Sequence, residues 1–236
     1  MKTTLLALTL LAAGTVPAFA VVLAPSPTLD LWTFETSQPT TSGPLAPETG
    51  SGTALSYHHA GTSTTYSSPA GNGSAHSFSS NTWTNGDYYQ FQVGTLGFSS
   101  LDVSFDQTSS STGPLNFKFQ YSTDGMSFTD FANYSVLVNA TPNSPWSTTG
   151  SRNAAYSFNY DLSSVASLLN QSAVYFRLVD TSTASANSGT DRVDNFSVAA
   201  IPEPSTCALF VGLAGFAVAL WHRKARRDSL SGSLSR

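Results

Sequence analysis

Apolar and polar residues alternate along several stretches of this chain, and this alternation constrains its fold more than any other feature. The run LNFKFQY at residues 115–121 places a leucine or an aromatic residue at every second position, with a polar residue between each pair. Runs of the same period occur at residues 89–93, 101–105 and 156–160. Because successive side chains of a β-strand point to opposite faces, each run predicts a strand with one buried and one solvated face.

Shorter or less regular runs predict further strands at residues 29–35, 54–59, 75–78, 126–131, 134–138, 173–180 and 192–199. The Asp124-Gly125 pair favours a tight turn, which predicts a hairpin after the 115–121 strand. Only residues 161–171 follow a helical period, and they predict one short helix or 3₁₀ segment. About eight to ten short strands with one brief helix predict an all-β fold, an antiparallel β-sandwich of jelly-roll-like order.

Charge is unevenly distributed along the chain. The formal net charge is −4, but residues 21–201 hold four basic and twelve acidic residues, and four further basic residues cluster at 223–227. An acidic domain without a basic stripe argues against nucleic-acid binding. The single cysteine, Cys207, excludes an internal disulfide and a cysteine-based metal site.

The N-terminal residues 1–20 have the three parts of a secretory signal peptide: Lys2, an apolar stretch at residues 5–13, and small residues at Ala18 and Ala20 around a cleavage site. An uncleaved membrane anchor is the alternative, and the short apolar stretch disfavours it. Residues 21–28 then form a linker, and residues 29–200 form the β-sandwich ectodomain.

The C-terminal residues 201–227 combine three features in order. A Pro-Glu-Pro-Ser segment predicts a break after the last strand, because proline donates no ladder hydrogen bond. Residues 205–221 carry no charge and predict one transmembrane helix at the short end of the required length. The basic cluster after them predicts a cytoplasmic end, with a soluble stub at residues 228–236. This cluster consists of Arg223, Lys224, Arg226 and Arg227.

This order of features resembles the tail of the PEP-CTERM family of exported bacterial proteins. The matching residues are Pro202, Glu203, Pro204 and Ser205, followed by the apolar run and the basic cluster. Ile201 stands where such tails often have valine, and the chain continues beyond the basic cluster; neither departure removes the resemblance.

The PEP-CTERM resemblance has several implications for the fate of the chain. It implies a Gram-negative bacterium that makes extracellular polysaccharide, export across the inner membrane, and recognition by an exosortase, a membrane-embedded processing enzyme. It also implies that the membrane anchor is transient and that the mature protein belongs to the cell surface or the biofilm matrix. An ordinary single-pass anchor, which hydropathy alone would explain, is the alternative.

The ectodomain is similar to the Ser/Thr-rich jelly-roll domains that accompany such tails. The segments that carry this similarity are LWTFE, NGDYYQF, GPLNFKFQYSTDG, VYFRLVD and SGTDRVDNFSV. Carbohydrate-binding and galactose-binding-like sandwiches share this general order, so the similarity implies a fold and leaves the function open.

Motifs of catalysis are absent from the sequence, which contains no nucleophile elbow, phosphate-binding loop or HExxH segment. Glycoside hydrolysis needs two carboxylates about 5–10 Å apart, one with a raised pKa, whereas most acidic residues here are predicted at turns or strand edges. The adjacent His58 and His59 would point to opposite faces of a strand, and with His76 they are interpreted as solvated residues rather than metal ligands. We therefore expect a non-enzyme.

Two kinds of binding site remain as hypotheses. Glu35 and Asp194, near the first and last strands, are candidate ligands of a structural calcium ion, since Ca²⁺ prefers carboxylate and carbonyl oxygens. The alternatives are an ion pair of Glu35 with an arginine and a β-bulge at Asp194. The candidate sugar-stacking residues are Trp83 and Trp146, which lie in polar loops, together with Tyr88 and Trp32.

The sequence therefore predicts an exported surface or matrix protein, sorted through its tail, with a non-catalytic structural or adhesive ectodomain. A carbohydrate-binding module for exopolysaccharide is the first alternative, and an enzyme acting on polysaccharide is the second. No cofactor apart from the structural calcium ion is expected.

Overall fold

Two β-sheets packed face to face form the described part of the chain. The computed structural model describes residues 27–59, 63–143, 145–148, 150–182 and 186–202, together with four single residues of the tail. Two 3₁₀ turns, Ala154–Tyr156 and Ala166–Leu168, lie between strands. The strands are β1 (Thr28–Trp32), β2 (Thr53–Tyr57), β3 (Tyr66–Ser67), β4 (Phe78–Trp83), β5 (Tyr88–Val93), β6 (Phe98–Ser109), β7 (Asn116–Ser122), β8 (Thr129–Ser135), β9 (Leu137–Val138), β10 (Ser157–Asp161), β11 (Val174–Asp180) and β12 (Ala186–Pro202).

The larger sheet has seven strands and the smaller has five. In the seven-stranded sheet the order is β10-β6-β12-β4-β3, with β1 paired to β12 and β9 paired to β6. In the five-stranded sheet the order is β2-β5-β11-β7-β8. Among the described strands, only the β6–β9 pairing is parallel. The expectation of an all-β sandwich of largely antiparallel strands is confirmed.

The alternation in the sequence supplies the core between the sheets. Tyr89, Phe91 and Val93 of β5 are buried. Phe91 stacks on Phe196 of the opposite sheet, with ring centroids 3.5 Å apart, and Trp32 meets both rings edge-on. Burial of each such side chain stabilises the fold by about 1.5–3 kcal/mol. The polar residues that alternate with the buried residues of β5 point away from the core and lie on the outer face of the five-stranded sheet.

The end of β12 corrects the predicted break between the sandwich and the tail. Ile201 pairs with Ser100, and Pro202 pairs with Phe98 after a register shift. The strand therefore includes the first proline of the Pro-Glu-Pro-Ser segment. A proline at the last position of a strand removes no interior ladder hydrogen bond, which explains why it is tolerated there.

Helical structure among the described sandwich residues is limited to the two 3₁₀ turns, one of which lies within the predicted 161–171 segment. No helix among the described residues is long and apolar enough to span a membrane. The predicted signal peptide, most of the predicted transmembrane helix at 205–221, the sorting residues Glu203, Pro204 and Ser205, and the basic cluster lie outside the described residues.

Candidate functional site

Trp83 does not lie in a polar loop, and its prediction as a sugar-stacking residue is wrong. It is the last residue of β4 and is fully buried. Its indole Nε1 donates a hydrogen bond to the carbonyl oxygen of Ser80, 2.9 Å away. Its ring packs edge-on against His58, Tyr89 and Phe117. A side chain enclosed in this way offers no face to a ligand.

Burial also contradicts the prediction that Trp146 and Trp32 are sugar-stacking residues. Trp146 lies in a loop, as predicted, but only 4% of it is exposed. Its Nε1 donates to the carbonyl oxygen of Ala70 at 2.6 Å, and its ring packs against Tyr156. Trp32 is fully buried, and its Nε1 donates to the carbonyl oxygen of Leu45. Trp146 folds from its loop onto the sandwich, Trp32 lies in β1, and each buries its polar atom with a partner.

Tyr88 is the one predicted stacking residue that lies on an accessible surface. It begins β5 on the outer face of the five-stranded sheet, where it pairs with Tyr57 of β2. The two rings stack with centroids 5.2 Å apart and an interplanar angle of 22°. Tyr57 is 48% exposed, so the stacked pair presents a flat ring to solvent at one edge of the sheet.

Arg177 extends this stacked pair across the sheet. It lies on β11 opposite Gln90, and its guanidinium carbon is 3.8 Å from the centroid of Tyr88 and 3.6 Å from that of Phe128. Arg177 Nε donates to Gln90 Oε1 at 2.8 Å, and Nη2 donates to the Tyr88 hydroxyl at 3.0 Å. Rings cover both flat sides of the guanidinium, which is therefore held in one plane. We call Tyr57, Tyr88, Arg177 and Phe128 the aromatic platform.

Amide and charged side chains border the platform on the next strands. Gln120 of β7 lies opposite Arg177 and donates to Asp130 of β8. Lys118 Nζ lies 3.1 Å from the same oxygen, Asp130 Oδ1, and donates to Asp130 Oδ2 at 3.3 Å. The tip of the β7–β8 hairpin closes this side, and the ring of Tyr175 lies against Gly125. The outer face thus combines exposed ring surface with fixed hydrogen-bonding groups.

Burial changes the pKa of two platform groups. The pKa of Tyr88 is raised chiefly by burial, and the neighbouring Arg177 charge opposes this effect. The pKa of Arg177 is lowered by burial. The phenol is therefore neutral at neutral pH. An arginine side chain keeps its charge in proteins, so the platform offers a cation together with phenol and amide groups.

Glu35 and Asp194, the candidate calcium ligands, hydrogen-bond to one loop at residues 71–76. Glu35 Oε1 accepts from the His76 backbone N–H at 2.8 Å, so the alternative pairing of Glu35 with an arginine is not observed. Asp194 Oδ2 accepts from Asn72 N–H and from the Ser74 hydroxyl. The alternative of a bulge is observed at Asp194, where the β12–β6 register shifts.

These hydrogen bonds explain both carboxylates without an ion. Among the described residues there is no group of three or more His, Cys, Asp or Glu side chains arranged to hold a metal. A structural calcium ion stays a prediction. Addition of EDTA would lower the unfolding temperature if the ion is present, and an unchanged unfolding temperature would count against it.

His58 and His59 are not both solvated, contrary to expectation. The side chain of His58 is 1% exposed, and Nδ1 lies 3.2 Å from Asp87 Oδ2. His59 Nδ1 lies 2.6 Å from the other oxygen. Burial raises the pKa of Asp87, but hydrogen bonds from His58 and from backbone N–H groups outweigh it and lower the value to about 2. His58 Nε2 reaches the buried hydroxyls of Ser56 and Ser80, so this network joins β2 to β4 inside the fold.

The platform residues other than Tyr88 were missed by the sequence analysis. Arg177 interrupts the apolar strand VYFRLVD, and a charge within such a strand is a signal that it faces solvent. What the sequence does not give is the register that sets Arg177 beside Tyr88 and Gln90, because pairing partners lie far apart in the chain. The contact with Phe128 depends in addition on how the hairpin folds back.

No protein-family model matches this chain, and no curated protein matches it. Comparison with solved structures finds weak similarities. One is the K3 cleaved adhesin domain of Lys-gingipain from Porphyromonas gingivalis, with 11% identity, a TM-score of 0.44, and coverage of 73% of this chain and 99% of that chain. Another is the tandem CBM22 domain of Paenibacillus barcinonensis Xyn10C, with 11% identity, a TM-score of 0.45, and coverage of 78% and 49%.

A third similarity is to the CBM22-1–GH10 modules of Clostridium thermocellum xylanase 10B, solved with xylohexaose. Its identity is 11%, its TM-score is 0.44, and the match covers 76% of this chain and 29% of that chain. At these identities and TM-scores the similarities carry no functional argument.

Proposed function

We propose that this β-sandwich is a non-catalytic glycan-binding module and that the aromatic platform is its binding surface. The observation that carries the proposal is the stacked Tyr57–Tyr88 pair, continued by Arg177, on the outer face of the five-stranded sheet. A pyranose ring has an apolar C–H face that packs on an aromatic ring, and its hydroxyls need donors and acceptors. The platform and the adjacent Gln90 supply both.

The platform alters which of the functions suggested by the sequence is preferred. A structural or adhesive role requires only a stable surface, and it does not explain why aromatic rings and a guanidinium are held in one array outside the core. Tyr and Arg side chains of this kind dominate the energy of binding surfaces because they present rigid area with few rotatable bonds. Glycan binding, the first alternative, therefore becomes the preferred function.

The carboxylates beside the platform favour binding over hydrolysis. Hydrogen bonds from the Ser127 and Met126 backbone N–H groups lower the pKa of Asp124 to about 2. A hydrogen bond from Gln120, with a further one from Lys118, lowers the pKa of Asp130. Glycoside hydrolysis needs one carboxyl group with a raised pKa to protonate the leaving group. Neither of these two groups is suited to that role.

The test is binding of the full chain to a panel of soluble polysaccharides by affinity gel electrophoresis. Substitution Tyr88→Ala or Tyr57→Ala is expected to weaken binding at least about tenfold, or about 1.4 kcal/mol. Tyr57→Phe keeps the ring and is expected to retain binding. Leu96→Ala removes an exposed apolar side chain outside the platform and is the matched control. Equal binding by Tyr88→Ala and the wild type would contradict the proposal.

For the tail, we propose sorting and processing by an exosortase-type enzyme, supported by the PEP-CTERM resemblance of Pro202 to Ser205 and the segments after it. The protein would be exported by its signal peptide and held in the membrane until the tail is removed. Mass spectrometry of the surface-exposed protein is expected to find no peptide from residues 223–227. Recovery of intact tail peptides from most of the surface-exposed protein would contradict the proposal.

A further inference from the structure

Arg177 differs from Arg152 and Lys118 in having no carboxylate partner among the residues that the structure describes. Arg152 forms two hydrogen bonds of 2.6 Å with the carboxylate of Asp106, and Lys118 pairs with Asp130. Within the part of the chain that the structure describes, Arg177 donates only to the amide oxygen of Gln90 and the hydroxyl of Tyr88, both neutral acceptors. Among the described residues, no carboxylate lies within ion-pair distance of it.

An unpaired cation in this position has an energetic consequence. The guanidinium lies between two rings, and its partial burial lowers its pKa. Burial of a charge without a counter-charge costs free energy, although the rings recover part of it through cation–π attraction. A ligand that brings a negative charge to Arg177 would recover more, since charge-assisted hydrogen bonds are about twice as strong as neutral ones.

The geometry limits the shape of that negative group. Rings cover both flat sides of the guanidinium, and only N–H groups in its plane can reach a ligand. Nη1 has no hydrogen-bond partner among the described residues, and Nη2 uses one of its two hydrogens on Tyr88. Two N–H groups in one plane match the two oxygens of a carboxylate.

We propose that the ligand of the platform is an acidic glycan, and that Arg177 binds the carboxylate of a uronic acid residue while the exposed ring of Tyr57, supported by Tyr88, packs against a sugar ring. This inference rests on the proposed glycan-binding function and narrows its ligand class. Asp130, one of the two carboxylates beside the platform, is paired with Lys118, and charges farther away than about 8 Å are largely screened at 0.15 M salt.

The experiment compares each acidic polymer with its own neutral form. The full chain is tested against polygalacturonate, alginate and hyaluronate, and against the same polymers after reduction of their carboxylates to alcohols. At least one acidic polymer is expected to bind ten times more tightly than its reduced form at 0.15 M salt. Dextran sulfate measures binding that depends on negative charge alone, and it is expected to bind weakly.

Two arginine variants separate a specific contact from general electrostatics. Arg177→Gln is expected to abolish the preference for the acidic polymer, while Arg177→Lys, which keeps the charge and loses the planar fork, retains part of it. Arg192→Gln changes the formal charge equally on the opposite sheet and is expected to retain the whole preference. Circular dichroism and the unfolding temperature establish that each variant is folded.

The outcomes distinguish the two proposals. Equal binding of acidic and reduced polymers, reduced by Tyr88→Ala, would overturn the acidic ligand and support glycan binding. Binding of no glycan in a wider panel, neutral polymers included, would overturn both. Equal losses in Arg177→Gln and Arg192→Gln, or stronger binding of dextran sulfate than of every uronate polymer, would show that general charge governs binding and would overturn the role of Arg177.

Discussion

At the residue scale, aromatic side chains of similar size have opposite fates in this protein. Trp83 is enclosed by His58, Tyr89 and Phe117, whereas Tyr57 stacks on the outer face of a sheet and is half exposed. Enclosed rings stabilise the fold, and exposed rings are available to a ligand. The two groups should therefore respond differently to substitution.

Trp83→Ala is expected to lower the free energy of unfolding by about 3–5 kcal/mol, because it leaves a cavity in a close-packed core. Urea denaturation measures this loss. Met126→Ala, at a side chain that is 83% exposed, is the control and is expected to change stability little. A Trp83→Ala protein that unfolds at the wild-type urea concentration would contradict the burial of Trp83 in the core.

Asp194 gives a pH dependence of defined sign. Burial raises its pKa from 3.8 to about 7, against hydrogen bonds from Ser74, Asn72 and Asn195 that lower it. The folded state therefore keeps a proton that the unfolded state releases above about pH 4. The contribution of this group to stability is greatest below pH 4, declines up to about pH 7, and is constant above.

The amide side chain in Asp194→Asn is uncharged at every pH, so this variant lacks the pH-dependent contribution to stability. The unfolding temperature of the wild type minus that of Asp194→Asn is expected to fall between pH 4.5 and 7.5. Asp124→Asn is the control: the pKa of Asp124 is about 2, so the carboxylate is ionised in both states over this range and the difference stays constant. A constant difference for Asp194→Asn would contradict the raised pKa.

A residue of the site was predictable from the sequence where its environment is set by one short segment of the chain, and not where distant segments pack around it. Tyr88 was found because it begins an alternating run with polar neighbours. Trp83 and Trp146 were misplaced because polar neighbours predicted loops exposed to solvent, whereas small buried residues such as Ser79 and Ser80 pack beside Trp83 inside the sheet. Local sequence does not show whether a loop tryptophan folds back onto the core.

At the element scale, β12 organises the larger sheet. It pairs with β1, β4 and β6, and its bulge at Asp194 includes Asn195 with φ of 50°. The loop at residues 71–76 covers this bulge. Gly71 is required there because a Cβ atom would collide with Ser74 Oγ, the His76 carbonyl oxygen and Asp194 Oδ2.

Gly71→Ala is expected to destabilise the protein by about 1–3 kcal/mol, as overpacking at a rigid site does. Gly94→Ala is the control and is expected to cost less, since a Cβ there would approach one atom, the Ser172 carbonyl oxygen, at 3.3 Å. Differential scanning calorimetry compares the two variants. Equal unfolding temperatures would show that the loop can move aside, contrary to the contacts that tie it to β12.

Elements were predicted well where the period of two was strong. The strands β5, β7, β10 and β11 are close to their predicted bounds, since alternate residues of each strand pack against the core, fully buried in β5, β7 and β11 and partly buried in β10. The strands β3 and β9 have two residues each, which is too short for a period to show. Strand β12 extends past its predicted end because pairing with β6 overrides the local effect of Pro202.

At the scale of the whole molecule, the two sheets have different roles. The seven-stranded sheet contains β12 with its bulge and the loop that covers it. The five-stranded sheet has the aromatic platform on its outer face and the rings of β5, β7 and β11 on its inner face. The inner rings hold the strands in register, and that register places Tyr57, Tyr88 and Arg177 together. The fold class followed from the sequence, whereas this surface required the register.

Hydrogen–deuterium exchange of the full chain tests the central claim most directly. Exchange is measured with and without the panel polysaccharide that binds most tightly. The proposal predicts slower exchange in peptides covering residues 53–57, 88–93, 118–130 and 174–179, and unchanged exchange in those covering 98–109 and 190–200. Protection confined to the seven-stranded sheet, or no protection with any polysaccharide, would contradict binding at the aromatic platform.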